Sequence, residues 1–186
     1  MERRVKGSLF VDYVRMLRSR KDVTWKRYLQ EEDLVFLSTH IEPDSWYPME
    51  TFARFGLAIL DEIAHGDPFL AKAWGRLSAD QLVSIEPEIL VKGDPRESVM
   101  RLVVHRRSFF DFDVVDLTQL SDNHAEVRIN YGMTPRAEQA ACLQTLGFFG
   151  RLVEIAGGRA VTAKLIVRTW EGDALTAFTV DWDPPA

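Results

Sequence analysis

The stretch HAEVRINY, residues 124–131, decides the fold class of this 186-residue sequence. Apolar and polar side chains alternate along it, which is the pattern of a β-strand with one buried face and one solvated face. The turn-forming residues SDN directly before it connect it to a second strand-like stretch, FDFDVVDLTQL, residues 110–120. Together the two stretches predict an antiparallel hairpin.

A long helix and a second hairpin are predicted after the first one. Thr134 can cap a helix that ends at Gly157 and Gly158, and the polar positions of this helix occupy one narrow face. Behind it, residues 159–170 and 174–182 alternate again around EGD. The glycine of that triplet can take the positive φ that a tight hairpin needs. The second half is therefore predicted to run strand, strand, helix, strand, strand.

The first half has the apolar spacing of helices, three to four residues, rather than alternation. Each predicted helix starts at a side chain that can cap the first turn, or at a proline whose missing N–H would be unpaired there. The sequence thus predicts an α+β fold, in which helices pack on one face of an antiparallel sheet of about four strands. The helix starts are Ser8, Thr24, Pro48, Asp67-Pro68, Ser78 and Asp94-Pro95.

We expect a single α+β domain over residues 1–186, divided into a mainly helical part, 1–109, and a ββαββ part, 110–186. The chain is long enough for one sizeable core, and 46% apolar residues is ordinary for a globular protein. No stretch approaches the roughly 18 apolar residues of a membrane span, and charged residues interrupt the start where a signal peptide would be apolar. A cytoplasmic protein with no transmembrane segment is expected.

The charge of the chain is unevenly distributed. A formal net charge of −5 gives no reason to expect nucleic acid as a partner. The first 28 residues differ, because they contain nine lysines and arginines and three acidic residues. A solvated helix face explains such a segment, and so does a contact for an acidic partner, a phosphate-bearing ligand or a membrane surface. The sequence leaves these alternatives open.

The compact motifs that carry catalysis or bind metals are missing. The four histidines lie far apart, and the sequence has no phosphate-binding glycine loop and no nucleophile-elbow serine. The single cysteine, Cys142, cannot form an internal disulfide and fits a reducing compartment. We therefore expect no enzyme, no catalytic residue, no metal and no cofactor, and as a ligand only an unidentified apolar small molecule or lipid.

Aromatic residues are more numerous than a plain aliphatic core needs, which favours a ligand pocket. Trp46 and Tyr47 stand directly before Pro48 and a nearly all-apolar helix, where they can form the wall of a pocket or a hydrophobic staple that fixes how the helix enters the core. Cys142 is either an inert small hydrophobe or a ligand-attachment site. The candidate pocket consists of Trp46, Tyr47, Phe52, Phe55, Phe109, Phe110, Cys142, Phe148 and Phe149.

Two glycines inside the long helix indicate a close neighbour. Gly147 and Gly150 each destabilise a helix by about 1 kcal/mol relative to alanine, so a nearby group should require them. The sheet, a ligand or a second subunit can be that neighbour. Phe148 and Phe149, which lie between the glycines, point to two different faces of the helix.

A family resemblance covers nearly the whole chain. The stretches that carry it are VKGSLFVDYVRMLRSR near the start, SWYP before the apolar helix, RRSFFDFD at the helix-to-sheet junction, and CLQTLGFFGRLVEIAGG followed by RTWEGDALTAFTVDW. In this order they resemble a bacterial family known mainly as a large paralogous set in myxobacteria. That family is similar in turn to the 4-vinyl-reductase-type ligand-binding domains.

The resemblance implies a pocket between helices and sheet, or a surface for protein partners, and it implies no particular reaction. The vinyl-reductase-type relatives have two cysteines around the final hairpin, and this chain has Arg168 and Thr176 there, so a metal function is not implied. Cys142 matches a position where related domains often have a cysteine. Because related domains commonly pair and a glycine-bearing helix permits close contact, we expect a homodimer.

Two functions follow as hypotheses. The first is a non-enzymatic sensory or regulatory module that binds a small apolar molecule between helices and sheet. The second is an interaction or scaffold protein, in which the same helices contact an unknown protein partner or a second copy and no ligand cavity exists. A structure that is inspected for buried volume next to the named aromatic residues distinguishes the two.

Overall fold

The computed structural model describes residues 2–185 of the chain. Among these residues, no helix combines the length and the apolar character that crossing a bilayer requires. Short 3-10 turns lie at Trp25–Arg27, Val35–Leu37, Pro87–Ile89 and Thr169–Glu171. The described α-helices are α1 (Gly7–Ser19), α2 (Glu31–Leu34), α3 (Met49–Glu62), α4 (Pro68–Ile85), α5 (Pro95–Arg107) and α6 (Pro135–Ile155).

The strands form two antiparallel sheets. The larger sheet has four strands in the order β3-β4-β6-β5, and α6 connects its two hairpins. The predicted α+β class and the predicted strand, strand, helix, strand, strand order are confirmed. The smaller sheet pairs β1 with β2 and was not predicted. The strands are β1 (Arg4–Lys6), β2 (Trp46–Pro48), β3 (Val115–Leu120), β4 (His124–Ile129), β5 (Arg159–Val167) and β6 (Thr176–Asp183).

The small sheet holds the N-terminus between the two halves of the chain. In it, Val5 lies opposite Tyr47. Val5 is buried and also forms a β-bridge with Phe110, ahead of β3. The neighbouring Lys6 N–H donates to the carbonyl of Phe109 at 2.8 Å. The first strand is therefore bonded to the junction between the helical part and the main sheet.

Helix α6 packs across the main sheet. Phe149 of α6 meets Phe178 of β6 edge-on, with ring centroids 5.3 Å apart, and both rings are fully buried. Gly150 faces the sheet as well, because a Cβ added there would lie 3.4 Å from the Cβ of Ala163 on β5. Along β4, alternate side chains are buried, as the alternation of HAEVRINY predicts. The core of the sheet half thus lies between α6 and the sheet.

The two halves are joined where α4 crosses α6 at backbone distance. A Cβ at Gly75 of α4 would overlap the carbonyl group of Gln144, and a Cβ at Gly147 of α6 would overlap the carbonyl of Lys72. Each helix therefore contributes one glycine to the approach of the other, since only glycine lets the backbones come this close. The close neighbour that the sequence predicted for Gly147 is α4 of the same chain.

Helix α4 runs unbroken through Ser78, where the sequence predicted the start of a separate helix. Ala71, Gly75 and Ala79 form a buried row four residues apart, which continues past Ser78. Packing of this row against α6 outweighs the tendency of serine to cap a new helix, because intrinsic propensities are small beside tertiary contacts. The start predicted at Asp67-Pro68 is confirmed, and the Asp67 carboxylate accepts from the N–H of Phe69 at 2.9 Å.

The stretch after Thr24 is more broken than its apolar spacing predicted. Thr24 makes no capping hydrogen bond, and the chain forms short turns around α2. Asp33 holds this segment against α3. Its side chain is fully buried and accepts a hydrogen bond from Arg54 of α3 at 2.7 Å. Although burial raises the pKa of Asp33, the hydrogen bonds from Arg54 and from the N–H of Gln30 outweigh it and hold that pKa below its usual value.

Several cations of the basic N-terminal segment bind parts of this same chain. Arg18 donates to the carbonyls of Phe36 at 3.0 Å and Leu37 at 2.9 Å, and thereby satisfies the end of a 3-10 turn. Arg4 forms an ion pair with Asp111 at 2.7 Å. For these two arginines the structure shows intramolecular contacts rather than a free basic surface.

We predict that Gly147→Ala lowers the free energy of unfolding by about 1–3 kcal/mol, because the added methyl group must push α4 away from α6. Gly150→Ala is the matched control in the same helix. Its methyl group reaches only an ordinary contact with Ala163, while alanine favours the helix by about 1 kcal/mol. Urea unfolding followed by circular dichroism measures both variants. Equal losses in the two variants would contradict this account of the crossing.

Candidate functional site

A small hollow lies where α1, α3, α4 and α6 meet. It has a volume of about 30 Å³, enough for a water-sized molecule. None of its lining residues is charged, and many are alanine or glycine. The lining consists of Tyr13, Phe52, Ala53, Gly56, Ile59, Leu60, Ala71, Trp74, Met133, Ala137, Ala140, Ala141 and Gln144.

One hydrogen-bonded pair gives the hollow a polar wall. The Tyr13 hydroxyl donates to the Oε1 atom of Gln144 at 3.1 Å. The Tyr13 ring stacks on Phe52, with centroids 4.4 Å apart, and it lies against Gly56, where a Cβ would come within 3.3 Å of the ring. Burial raises the pKa of Tyr13, so the phenol stays protonated and the pair stays neutral at ordinary pH.

A second polar cluster lies between α5 and α6. Arg106 donates to the Tyr131 hydroxyl at 2.7 Å and to Thr145 Oγ1 at 3.2 Å, and its guanidinium lies 5.8 Å from the Phe148 ring centroid. Within residues 2–185 no carboxylate forms an ion pair with Arg106, and its Nε is buried without a hydrogen-bond partner. Burial raises the pKa of Tyr131. The cluster therefore places a cation beside neutral oxygens only.

Glu138 organises the loop that leads into α6. Its carboxylate is 2% exposed and accepts from the backbone N–H groups of Tyr131 and Met133, both at 2.9 Å. The thiol of Cys142 points to the same carboxylate, with Sγ 3.9 Å from Oε1. Burial, and then the charge of Glu138, raise the pKa of Cys142, so the thiol is held in its unreactive protonated form.

A larger hollow of about 190 Å³ lies beside this loop. Three of its six lining residues have polar side chains. It shares Met133 with the first hollow, and no aromatic side chain lines it. The lining consists of Asn130, Gly132, Met133, Pro135, Glu138 and Thr169.

The nine residues of the candidate pocket are not gathered at one place. Phe52 is the member that lines the first hollow. Tyr47 stacks on Phe10 with centroids 4.6 Å apart, and its hydroxyl accepts from the N–H of Glu42 at 2.9 Å. Trp46 is 36% exposed and lies under Lys6, whose Nζ is 4.6 Å from the indole centroid. Neither ring of the pair before Pro48 therefore lines the first hollow, since Tyr47 packs on α1 and Trp46 lies partly exposed at the small sheet.

The other members of the candidate pocket lie in different parts of the core. Phe55 packs on Phe10 in the helical half, while Phe149 packs on the sheet. Phe148 lies under Arg106, and Phe110 lies 5.8 Å from Tyr131. Phe109 stands beside His105, and Cys142 faces Glu138. As predicted, Phe148 and Phe149 point to different faces of α6.

Tyr13, Trp74 and Gln144 line the first hollow but were not among the predicted site residues. Each belongs to an amphipathic helix, where its position alone predicts ordinary packing. The glycines of the facing helices were the sequence feature that could have predicted them. Gly56 leaves space for the Tyr13 ring, and Gly75 leaves space for the backbone of Gln144.

His105 carries an unpaired atom suited to a metal. Its Nδ1 lies 3.1 Å from a carboxylate oxygen of Glu86, while its Nε2 is buried without a hydrogen-bond partner. Metal-binding histidines are commonly held through one ring nitrogen in this way. The ring, however, packs edge-on against Phe109 at 4.6 Å and does not line either hollow. In the described part of the chain, no three His, Cys, Asp or Glu side chains come together as metal ligands.

Comparison with solved structures finds the same fold in H-NOX proteins. No protein-family model matches the sequence, and no curated protein matches it. The chain is similar to a K. algicida H-NOX mutant in its unliganded Fe(II) state, with 13% identity, 96% of each chain covered and a TM-score of 0.65. It is also similar to an S. oneidensis H-NOX mutant in the Fe(II) state, with 12% identity, 97% of each chain covered and a TM-score of 0.62. For a T. Tengcongensis H-NOX mutant the identity is 13%, the TM-score is 0.63, and the match covers 97% of this chain and 99% of that chain.

At these identities the likeness establishes the fold alone. None of the comparisons bears on the myxobacterial family or on the 4-vinyl-reductase-type domains, so that resemblance stays a prediction. The expectation of no cofactor is wrong for proteins of this fold, because the H-NOX structures include Fe(II) states and one was solved to probe heme distortion. Heme is therefore the group against which the residues of this chain have to be tested.

The side chains as they pack here do not fit a heme. Ligand cavities of that class measure roughly 300 Å³ or more, whereas the apolar hollow measures about 30 Å³. Heme iron takes a His, Cys, Met or Tyr side chain as its ligand. The Tyr13 hydroxyl is bonded to Gln144, and the Cys142 thiol is held by Glu138. Met133 lines both hollows, but the larger of them, at about 190 Å³, is also below that size. His105 has a suitable nitrogen, but its ring is packed away from the hollow.

The different surroundings of Trp46 and Tyr47 predict different effects of removing each ring. Trp46→Ala should lower the free energy of unfolding by about 1 kcal/mol or less, since the ring is partly exposed and mainly contacts a cation. Tyr47→Ala should lower it by about 3 kcal/mol, because a stacked ring and a hydrogen bond are lost. Thermal and urea unfolding measure both variants. A larger loss for Trp46→Ala would mean that the indole is buried in solution.

The Arg106 cluster predicts that Tyr131→Phe lowers the free energy of unfolding by about 1–3 kcal/mol, because the half-buried guanidinium loses one of its acceptors. Tyr28→Phe is the control, since that hydroxyl binds Glu62 at the surface and its loss should matter less. Urea unfolding compares the two variants. An unchanged stability of Tyr131→Phe would show that Arg106 finds another acceptor.

Proposed function

We propose that this chain is a sensory or regulatory module that binds a small apolar molecule in the hollow between α1, α3, α4 and α6, and that it acts by binding rather than by catalysis. The observation that carries the proposal is the lining of the hollow. It consists of uncharged side chains with one neutral hydrogen-bonded pair, Tyr13 and Gln144. Ligand sites are commonly apolar in this way, with a few polar groups that orient the ligand.

The fold supports the same class of function. H-NOX proteins, which share this fold, are described in Fe(II) and Fe(II)NO states, and so hold small ligands. The resemblance of the sequence to 4-vinyl-reductase-type ligand-binding domains points to this class too. The alternative of a scaffold with no cavity has less support, since uncharged residues line the hollow between the helices.

The hollow as it stands is smaller than a typical ligand, so a larger molecule enters only if its walls move. Trp74 and Met133 are half-buried, while Ile59, Leu60 and Ala71 behind them are buried. The first two side chains are therefore the ones that can swing outward without opening the core. Displacement of Met133 would also pull on the loop that Glu138 holds, which gives ligand binding a route to the start of α6.

Xenon and benzene are suitable probes, because an apolar cavity of about 150 Å³ binds both, a size that this hollow reaches only when its walls move. Titration of ¹⁵N-labelled protein with each probe should shift the amide signals of Gly56, Ala71 and Ala140. Ala140→Phe fills the hollow and should weaken probe binding about tenfold or more. Gln139→Phe is the matched control, since this neighbour on α6 does not line the hollow. Its probe binding should equal that of the unmodified chain.

Two results would overturn the proposal. One is the absence of any probe-dependent shift, or shifts that Ala140→Phe leaves unchanged while Gln139→Phe alters them. The other comes from a parallel titration with hemin, followed by absorbance. Stoichiometric heme binding that His105→Gln abolishes would place the site at α5 instead of at the hollow.

A further inference from the structure

The two hollows are neighbours, and one side chain lies between them. Met133 lines both the apolar hollow of about 30 Å³ and the larger hollow of about 190 Å³. Their linings also meet on α6, where Ala137 borders the first hollow and the next residue, Glu138, borders the second. A ligand that displaces the Met133 side chain therefore turns the two hollows into one continuous space.

Met133 is suited to be a movable partition. Its backbone is held, because its N–H donates to the Glu138 carboxylate at 2.9 Å. Its side chain is half-buried, and the rotatable bonds and polarisable sulfur of methionine let it adapt to irregular surroundings. The side chain is therefore the part of Met133 that moves most easily.

The two hollows differ in their chemistry. Most side chains around the first hollow are apolar, and none is charged. Around the second hollow, Asn130, Glu138 and Thr169 supply hydrogen-bonding side chains. A molecule that reaches from the first hollow into the second thus meets an apolar surface at one end and polar groups at the other.

The polar side chains of the second hollow can bind an uncharged hydroxyl or amide group. Asn130 is exposed, and its side-chain amide offers two donor hydrogens and an acceptor oxygen. The Thr169 hydroxyl shares a hydrogen bond with the buried Thr176 hydroxyl at 3.1 Å. Because a hydroxyl has one donor and two acceptor positions, Thr169 keeps the capacity to bond a ligand as well.

Charges of both signs border the second hollow. Glu138 places a buried carboxylate in its wall. At Gly132, another lining residue, the Arg3 guanidinium is so close that an added Cβ would overlap it. A charged ligand group would be attracted by one of these side chains and repelled by the other. An uncharged group avoids this repulsion and still finds hydrogen-bond partners.

We infer from these observations that the ligand of this chain is an uncharged amphiphile, with an apolar part in the first hollow and a hydroxyl or amide group in the second. The inference rests on the proposed function, since it requires the apolar part to bind in the hollow between the helices. To that site it adds a polar subsite at Asn130 and Thr169. Met133 is the residue that the ligand displaces to occupy both.

Ethylbenzene and phenethyl alcohol are a matched pair of probes, because they differ by one hydroxyl group. NMR titration of the ¹⁵N-labelled full chain measures the affinity of each. The alcohol should bind at least as tightly as ethylbenzene, and it should shift the amide signal of Thr169 in addition to that of Ala140. In a site that is apolar throughout, the alcohol would bind more weakly by on the order of tenfold, because its hydroxyl would leave water without gaining a partner.

Three variants test the polar subsite and the partition. Asn130→Ala should weaken binding of the alcohol about three- to tenfold, the effect of one net hydrogen bond, and leave that of ethylbenzene unchanged. Asn123→Ala is the matched control, because Asn123 is also exposed and lines neither hollow. Met133→Ala should tighten binding of the alcohol about threefold or more, because the open state no longer has to be reached by displacing a side chain.

Phenylacetate and phenethylamine, the charged analogues, should each bind more weakly than the alcohol. If neither ethylbenzene nor the alcohol binds, this inference and the proposed function fail together. If ethylbenzene binds and the alcohol binds tenfold more weakly, only this inference fails. It is also overturned if Asn130→Ala leaves alcohol binding unchanged, if Met133→Ala does not tighten it, or if a charged analogue binds more tightly than the alcohol.

Discussion

The rest of the structure depends on the backbone contact between α4 and α6. Gly75 and Gly147 let each helix lie on the carbonyl groups of the other, so that a helix of the first half and the central helix of the second half become one layer. Two ion-pair contacts, Arg76 with Glu154 and Arg151 with Asp80, flank this crossing. The hollow is a result of the same contact. Where two helices approach this closely, small residues have to line them, and small residues leave space beside larger neighbours.

The main sheet could be predicted from the sequence because its signals are local. Apolar alternation, a turn between neighbouring strands and a glycine at the second turn all lie within a few residues of one another. The small sheet has no such signal. Its strands are three residues long, and Val5 has its partners at Tyr47 and Phe110. Short-range patterns cannot indicate pairings at that sequence separation.

The candidate site was harder to predict than the fold, for a physical reason. An aromatic-rich sequence favours a pocket, but Phe55 and Phe149 fill core rather than surround a space. A hollow forms where the lining side chains are small, so alanine and glycine are common around it. The same residues are common where helices pack closely, so their presence does not distinguish the two. In the same way, the continuous helix through Ser78 follows from contacts with α6 that no local pattern contains. Contacts with residues that are distant in the sequence determine both the position of the hollow and the continuity of α4.

The interior between α5 and α6 shows how the architecture can be kept while its contents differ. The alternation of apolar residues in strands and their spacing in helices specify the layers of the fold. Many sequences have these patterns, so structures that are only 12 or 13% identical in sequence share the fold. What occupies the interior depends on a few side chains. Here Arg106 extends between the helices and ends on Tyr131 and Thr145, with the ring of Phe148 below it. The group a member of this fold holds is therefore decided by such side chains and not by the layers.

The pairing of Val5 with Phe110, between α5 and β3, has a consequence for the order in which the chain folds. Val5 is made before its partner Phe110, which follows 105 residues later and takes about 5–20 s more at ordinary rates of synthesis. During that interval the first strand and the apolar face of α1 have no complete partner. Closing so long a loop is also slow, because its entropy is lost before its contacts form. Strand β1 therefore gains its full set of native contacts only after the whole helical half and Phe110 have been made.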